Sequence, residues 1–567
     1  MHFCSPVVPY QLRTIFLAMA AIIAVLWVSK CGATEAELER VIKVVLSEEN
    51  LTGIAWALVE ENGKVSLDAV GFRDNPAEAS FTNNTRFHVG SLTKSVLATG
   101  VLRLATQGQI DLDAPATRYL PDLGFNNPWA EVSEVTVRQL LDHTAGLNDA
   151  YMWQMFSERA EPDTPLIYAF PDPQKQLQIR SRPGTRFSYS NMGYTLLGMI
   201  IESVVEDNYE TYLDRHVLAP LGMRDSTFGF TTQAGKNADP MLAWGHVDDG
   251  SHYVASPIFL RPAGQFTSTA GDLARFAEFL LDDGVVAGQQ FIDKRLMRSR
   301  GHASGTQASN GGLIAGYALG LGRRDRHDVV GYCHGGNIAG FVAMLCVFPD
   351  EHKAFAYSVN TDSETADYAR LNQVFVSSLG IAKAVPPPTL GPPADISQWH
   401  GQYILSPNRF ETFEYLDIVF GSIKISADSE FLKMSSLQQA PRRLRPTGDY
   451  IYSANGRSTL IMFLRYRNKI SQHPIGPAFV AIVLLFVPIP FFLAQSFMAL
   501  GDFTFASFLL ALVTALLPLG MILTVMRVRQ TWRTSRLNVL HGLAAVFVLQ
   551  WCIVLIAFSM LPFRLWV

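Results

Sequence analysis

Three apolar runs close the chain, from Ile475 to Leu500, Phe503 to Met526 and Val539 to Leu561, and they limit what the rest can fold into. Each has the roughly 20 residues that a helix needs to cross a hydrocarbon core of about 30 Å. They predict three transmembrane helices over 475–561. Arg527, Arg529, Arg533 and Arg536 crowd the connection between the second and third runs, and positive loops favour the cytoplasm. With three full crossings and an exported domain the arginines lie outside. They lie inside if the first run, interrupted by Pro488 and Pro490, is re-entrant. That choice stays open.

The opposite end has a head ending in Arg13, an apolar stretch from Thr14 to Val28 and small residues at 31 to 33. Residues 1–33 therefore read as a signal peptide or, uncleaved, an N-terminal anchor. The expectation is a multi-pass protein of the cell membrane, with the lipid bilayer as a partner and its catalytic domain extracytoplasmic, in the periplasm. Between the ends, "KAVPPPTLGPP" marks a semi-rigid linker over 383–394. Residues 34–382 mix helical and strand patterns. Downstream, "YLDIVF", "IKIS", "FLKMSS" and "DYIYSA" alternate or run apolar over short lengths, which predicts a small all-β module over 395–470.

Charge argues against nucleic acid as a partner, since 46 Lys and Arg against 50 Asp and Glu give a net −4 with no polybasic face. The five cysteines have neither zinc-type spacing nor a disulfide framework. Cys333 and Cys346 are placed to meet across a hairpin in an oxidising compartment, but read more simply as buried free thiols. No metal or cofactor is expected.

Chemistry enters with "FHVGSLTKSV", where Ser91 and Lys94 stand three residues apart. Gly90 breaks a strand pattern, and the apolar spacing that follows predicts a helix running to Gly108. Ser91 then opens that helix, where amide N–H groups favour negative charge, and Lys94 lies one turn on, near the same face. A lysine useful as a base must drop from about 10.4 towards 7 or 8, which burial or a nearby positive group can do; the apolar neighbours Leu92, Val96, Leu97, Val101 and Leu102 favour burial, and a solvated helix lysine is the alternative. A second stretch, "RPGTRFSYSNMGY", puts Tyr189 and Asn191 on a loop at a helix mouth. There a phenol can shuttle a proton and an amide can hold a substrate carbonyl. A third, "GYCHGGNIAGF", joins two β-rich runs through His334, Gly335, Gly336 and Asn337. Its glycines let a substrate backbone lie close, and a backbone N–H there can complete an oxyanion hole with that of Ser91. No Gly-x-Ser-x-Gly elbow of the lipase type occurs.

In this order the motifs resemble the serine β-lactamase and penicillin-binding protein superfamily, specifically its class C β-lactamase-like branch. "VTVRQLLDHTAGL", "VLAPLGMRDSTF" and "RPAGQFTSTAGDLARFAEFL" extend the resemblance over about 36 to 381. It implies an α+β fold, an antiparallel sheet with flanking helices and a helical lobe, the site lying between the lobes. Ser91 would be the acylated nucleophile, with Lys94 and Tyr189 sharing the proton transfers. Asn191, His334 and Gly336 would bind substrate, and the N–H groups of Ser91 and Asn337 would hold the oxyanion. His143 would be a structural turn residue. His334 stands where true class C enzymes have a lysine that helps to bind the substrate carboxylate, so the resemblance favours a peptidase of D-residue peptides. An esterase, or a weak β-lactamase or DD-carboxypeptidase, is the alternative. A β-lactam-binding membrane sensor without turnover is the reading from another class.

Overall fold

The structure is a computed structural model that describes residues 35–391 continuously, much of 396–462, parts of 499–522 and most of 536–564. The proposed signal peptide lies outside the described residues, as does the first apolar run apart from Ala499. The elements that build the site are strands β1 (Gly53–Val59), β2 (Val65–Asp74), β3 (Ala79–Ser80), β4 (Gly245–Val247), β5 (His252–Tyr253), β6 (Tyr317–Ala318), β7 (Leu321–Arg326), β8 (Val329–Ile338), β9 (Phe341–Phe348), β10 (Lys353–Val359) and β11 (Thr361–Asp362). The helices are α1 (Glu35–Glu48), α2 (Thr93–Thr106), α3 (Asn191–Val205), α4 (Ala270–Leu281) and α5 (Tyr368–Leu379). One antiparallel sheet runs in the order β6-β7-β8-β9-β10-β1-β2-β3.

The central strands are buried on both faces, and their period of two sorts side chains between two cores. Along β1, Ala55, Ala57 and Val59 face the core of α2, α3 and α4, while Ile54, Trp56 and Leu58 face that of α1 and α5. On β9 and β10, Ala343, Ala354 and Ala356 likewise point to the first side, whereas Phe348, Phe355 and Tyr357 point to the second. Small residues on the first side let α4 lie close against the sheet. Large ones fill the space under α1 and α5. The α+β fold thus stands as expected.

The transmembrane expectation does not. Among the described residues no helix is long and apolar enough to cross a membrane, which overturns the prediction of three transmembrane helices. Apolar composition is necessary for a span, but an uninterrupted helix long enough to cross is also needed. The second run is entered through a turn at Gly501 whose neighbour Asp502 is buried against the main domain. Its carboxylate accepts from the Ser157 hydroxyl, from the Glu158 amide at 2.7 Å and from Arg159 at 2.8 Å.

Six antiparallel strands between Gly401 and Met462 form a meander in chain order, with Ile396, Trp399, Ile425, Leu432, Leu444 and Tyr452 as its own core. Cys333 and Cys346 sit directly opposite one another on β8 and β9 and are joined as a disulfide. This corrects the reading of two free thiols. Spacing alone did not reveal that the β8–β9 register would bring the two Cα atoms to 4.1 Å.

Candidate active site

The helix that carries Lys94 is buried through most of its length, including its polar residues Thr93, Lys94, Ser95 and Thr99. A short turn, Gly90–Leu92, leads into it and leaves Ser91 half-buried at its mouth. Gly90 has φ +52°, and a Cβ there would lie 2.7 Å from backbone atoms of Asn337. Gly336 is tighter still, since a Cβ on it would meet the Val89 carbonyl at 1.7 Å and the Ser91 amide nitrogen at 2.9 Å. The two glycines therefore let the edge of β8 press its backbone against the Ser91 turn. This brings the Gly336–Asn337 segment beside the Ser91 amide, where amide donors can converge on a carbonyl oxygen.

Lys94 is wholly buried. Its Nζ donates to Ser91 Oγ at 3.0 Å, to Asn191 Oδ1 at 2.7 Å and to the Ala263 carbonyl at 2.6 Å. All three acceptors are uncharged, so burial dominates and holds its pKa well below the usual lysine range. Asp149 opposes this shift, and Arg409 adds to it. Tyr189 is also hydrogen-bonded to Ser91, and burial moves its phenol the other way, upward. The amine tends to shed its proton while the phenol keeps its own, which separates a base from a proton donor on either side of one hydroxyl.

Asn191 opens α3, with Ser190 as N-cap accepting from the Gly193 amide at 3.0 Å. Its amide oxygen faces Lys94, and its Nδ2 and backbone N–H donate to Asp149 Oδ1 at 2.7 and 2.8 Å. The geometry makes Asn191 first an orienter of the lysine. His334 lies on β8, with Nδ1 2.6 Å from the Gly335 carbonyl and Nε2 buried without a partner. Burial, reinforced by the Lys94 charge, lowers its pKa to about 3, so the ring is neutral. His143 has φ +54° and accepts the Ser190 amide at Nδ1, 3.1 Å away, packed against Tyr189, Tyr194 and Tyr317. It supports the tyrosine loop.

Two residues at the site carry no signal in the sequence. Asp149 is fully buried behind Asn191. Arg409 comes from the β module, pairs with Asp149 Oδ2 and places its guanidinium 4.8 Å from the centre of the Tyr189 ring. The same segment is tied by Arg180, which donates to the Asn408 carbonyl at 3.0 Å, and by the Asp149 amide, which donates to the Arg409 carbonyl at 3.2 Å. No motif marks these residues, because their partners are contributed by another part of the chain.

An antiparallel sheet between helical layers, with a Ser-x-x-Lys pair at the mouth of a buried helix, defines the β-lactamase and transpeptidase class of folds. A family model described as Beta-lactamase matches residues 38–376, more than half of the chain. The chain belongs to that family, whose members are serine hydrolases. Protein flp of Staphylococcus aureus (strain MW2) is 24% identical over 339 residues, covering 58% of this chain and 64% of that protein. The chain thus spans a little under two thirds of that relative's length. An uncharacterized protein of Mycobacterium tuberculosis, MT1414, is 27% identical over 282 residues, 46% of this chain and 70% of its own. Among solved structures, SurE with D-Leu has a TM-score of 0.51 at 23% identity, covering 74% of this chain and 90% of that one. A mutant class C β-lactamase has a TM-score of 0.50 at 20% identity, covering 60% and 96%. These two likenesses show the shared fold.

Proposed function

We propose that this protein cleaves an amide or ester bond through an acyl-enzyme on Ser91. The observation that carries the reading is the fully buried Lys94 amine, 3.0 Å from Ser91 Oγ and depressed in pKa. The neutral amine takes the Ser91 proton as Oγ attacks the substrate carbonyl, and the oxyanion is received by the N–H groups of Ser91 and Asn337. The Tyr189 hydroxyl passes a proton to the leaving amine or alcohol as the C–N or C–O bond breaks. Water then attacks the ester, its proton returns through the same pair, and Ser91 is released.

The neutral His334 offers no cation to a substrate carboxylate, which favours peptide or ester substrates over β-lactams. Peptides with D-residues are the first class to test, in line with the resemblance and with SurE having been solved with D-Leu. The Cys333–Cys346 disulfide supports action in an oxidising, extracytoplasmic compartment. A fluorophosphonate probe should label the wild-type protein and leave Ser91→Ala unlabelled; equal labelling overturns the proposal. Relative rates on D-amino-acid amides, short-chain esters and a chromogenic cephalosporin then separate peptidase, esterase and β-lactamase.

A further inference from the structure

Away from Ser91, the described residues gather one carboxylate and two imidazoles where β2 ends against a small sheet. Asp74 closes β2, His246 is central in β4 and His252 opens β5, and one ligand atom from each lies within 4.8 Å of the others. His246 is fully buried. The Asn75 amide points at Nε2 from 3.4 Å, and Nδ1 lies nearer the Asn360 carbonyl, at 3.0 Å, than the Asn360 side-chain amide nitrogen, at 3.3 Å, which favours the lone pair on Nε2 and the proton on Nδ1. A histidine backed in this way by a carbonyl presents Nε2 to a metal, which takes the lone pair from the long Asn75 contact. Asp74 Oδ1 is buried and has no hydrogen-bond partner. His252 Nδ1 lies 3.7 Å from it, beyond hydrogen-bond range, and the His252 ring is stacked on Trp244 with centroids 4.3 Å apart. A half-exposed His252 leaves an entry path for an ion.

We propose that Asp74, His246 and His252 bind one divalent ion of the zinc class, with water completing the shell. Two nitrogen donors and one oxygen suit zinc or cobalt and are too poor in oxygen for calcium or magnesium. Metal–ligand bonds of about 2.0–2.2 Å require the three groups to close by roughly 1 Å, a movement available to His252 at the start of the exposed hairpin strand. The ion ties the β4–β5 hairpin to the end of β2. β4 pairs with β11, and Asp362 of β11 accepts from the Asn337 side chain at 2.8 Å, so the ion also steadies the strand edge beside Ser91.

The test uses the full chain, stripped of metal and dialysed against buffered Zn2+ or Co2+, with metal content read by mass spectrometry and Co2+ by its visible absorption. The expected result is one ion per wild-type chain, with affinity at least tenfold weaker in His252→Ala and in Asp74→Asn while circular dichroism is unchanged. A wild-type chain that retains no more metal than His252→Ala, or variants that bind as tightly as wild type, would overturn the proposal. This site is independent of the Ser91 reading, since labelling of Ser91 and metal content are read separately.

Discussion

Arg409 is the residue by which the β module reaches the surroundings of Lys94, and Arg409→Met isolates its effect on the proposed chemistry. The variant keeps the aliphatic reach and removes the guanidinium from Asp149 and from the Tyr189 ring. A charge-assisted hydrogen bond contributes about 1.5–3 kcal/mol, discounted here because the Arg409 side chain is half-exposed, and an exposed cation–π contact adds about 0.5–1 kcal/mol. The net expectation is about 2 kcal/mol, equivalent to roughly thirtyfold in rate if it appears wholly in the transition state. The sign for pH follows from the charges around Lys94. Asp149 raises the amine's pKa and Arg409 lowers it, so loss of Arg409 leaves the carboxylate unopposed and the pKa rises. The base is then neutral only at higher pH. The rate of Ser91 acylation by a fluorophosphonate, measured from pH 5 to 10, should show its acidic limb displaced upward, with activity recovering at high pH. Adding Asp149→Asn to the variant should move the limb back, because the charge left unpaired is removed. An Arg409→Met profile that superposes on wild type along the pH axis refutes the reasoning, whatever happens to the rate.

Lys94→Met should lower Ser91 acylation by about 10²- to 10⁴-fold, the usual worth of a general base, with near-native thermal stability; a loss below tenfold in the acylation assay would remove the amine from the mechanism. Gly336→Ala puts a methyl 1.7 Å from the Val89 carbonyl, so β8 must move off the Ser91 turn, and labelling should fall by about 10² or more while Lys94 stays in place. Asp142, buried and accepting the Leu319 amide at 2.8 Å, has its pKa raised to about 7 by burial. Its contribution to stability is full below the unfolded value near 4 and is lost as pH rises through 7. Asp142→Asn should therefore raise the melting temperature at pH 8 and change it little at pH 4, by calorimetry; equal effects at both pH values would contradict the assignment.

What the sequence disclosed depended on whether a residue's partners lay near it along the chain. The Ser91–Lys94 spacing is set by one helix, and the Gly90 break with its apolar continuation announced that helix from local pattern alone. The same holds for the strands of the module, whose alternation is a property of each strand by itself. Asp149 and Arg409 could not be read in this way, because an isolated aspartate or arginine has no periodicity, and what makes them matter is a pairing between two parts of the chain far apart in sequence. Cys333 and Cys346 failed for a related reason. Their pairing depends on the register of β8 against β9, and a slip of one residue would have turned one thiol to the opposite face. The apolar C-terminal runs show the reverse error. Hydropathy was legible there, but it reports what a segment avoids, and Asp502 shows that its entry turn is anchored in protein by a carboxylate no hydropathy window weighs. The Ser91–Lys94 pair was therefore visible as a local motif, whereas the electrostatic setting around it had to come from contacts. A substitution at Arg409 tests that distinction directly: a pattern-based reading gives Arg409 no role, and the geometry gives it an influence on the Lys94 proton, smaller than those of burial and Asp149.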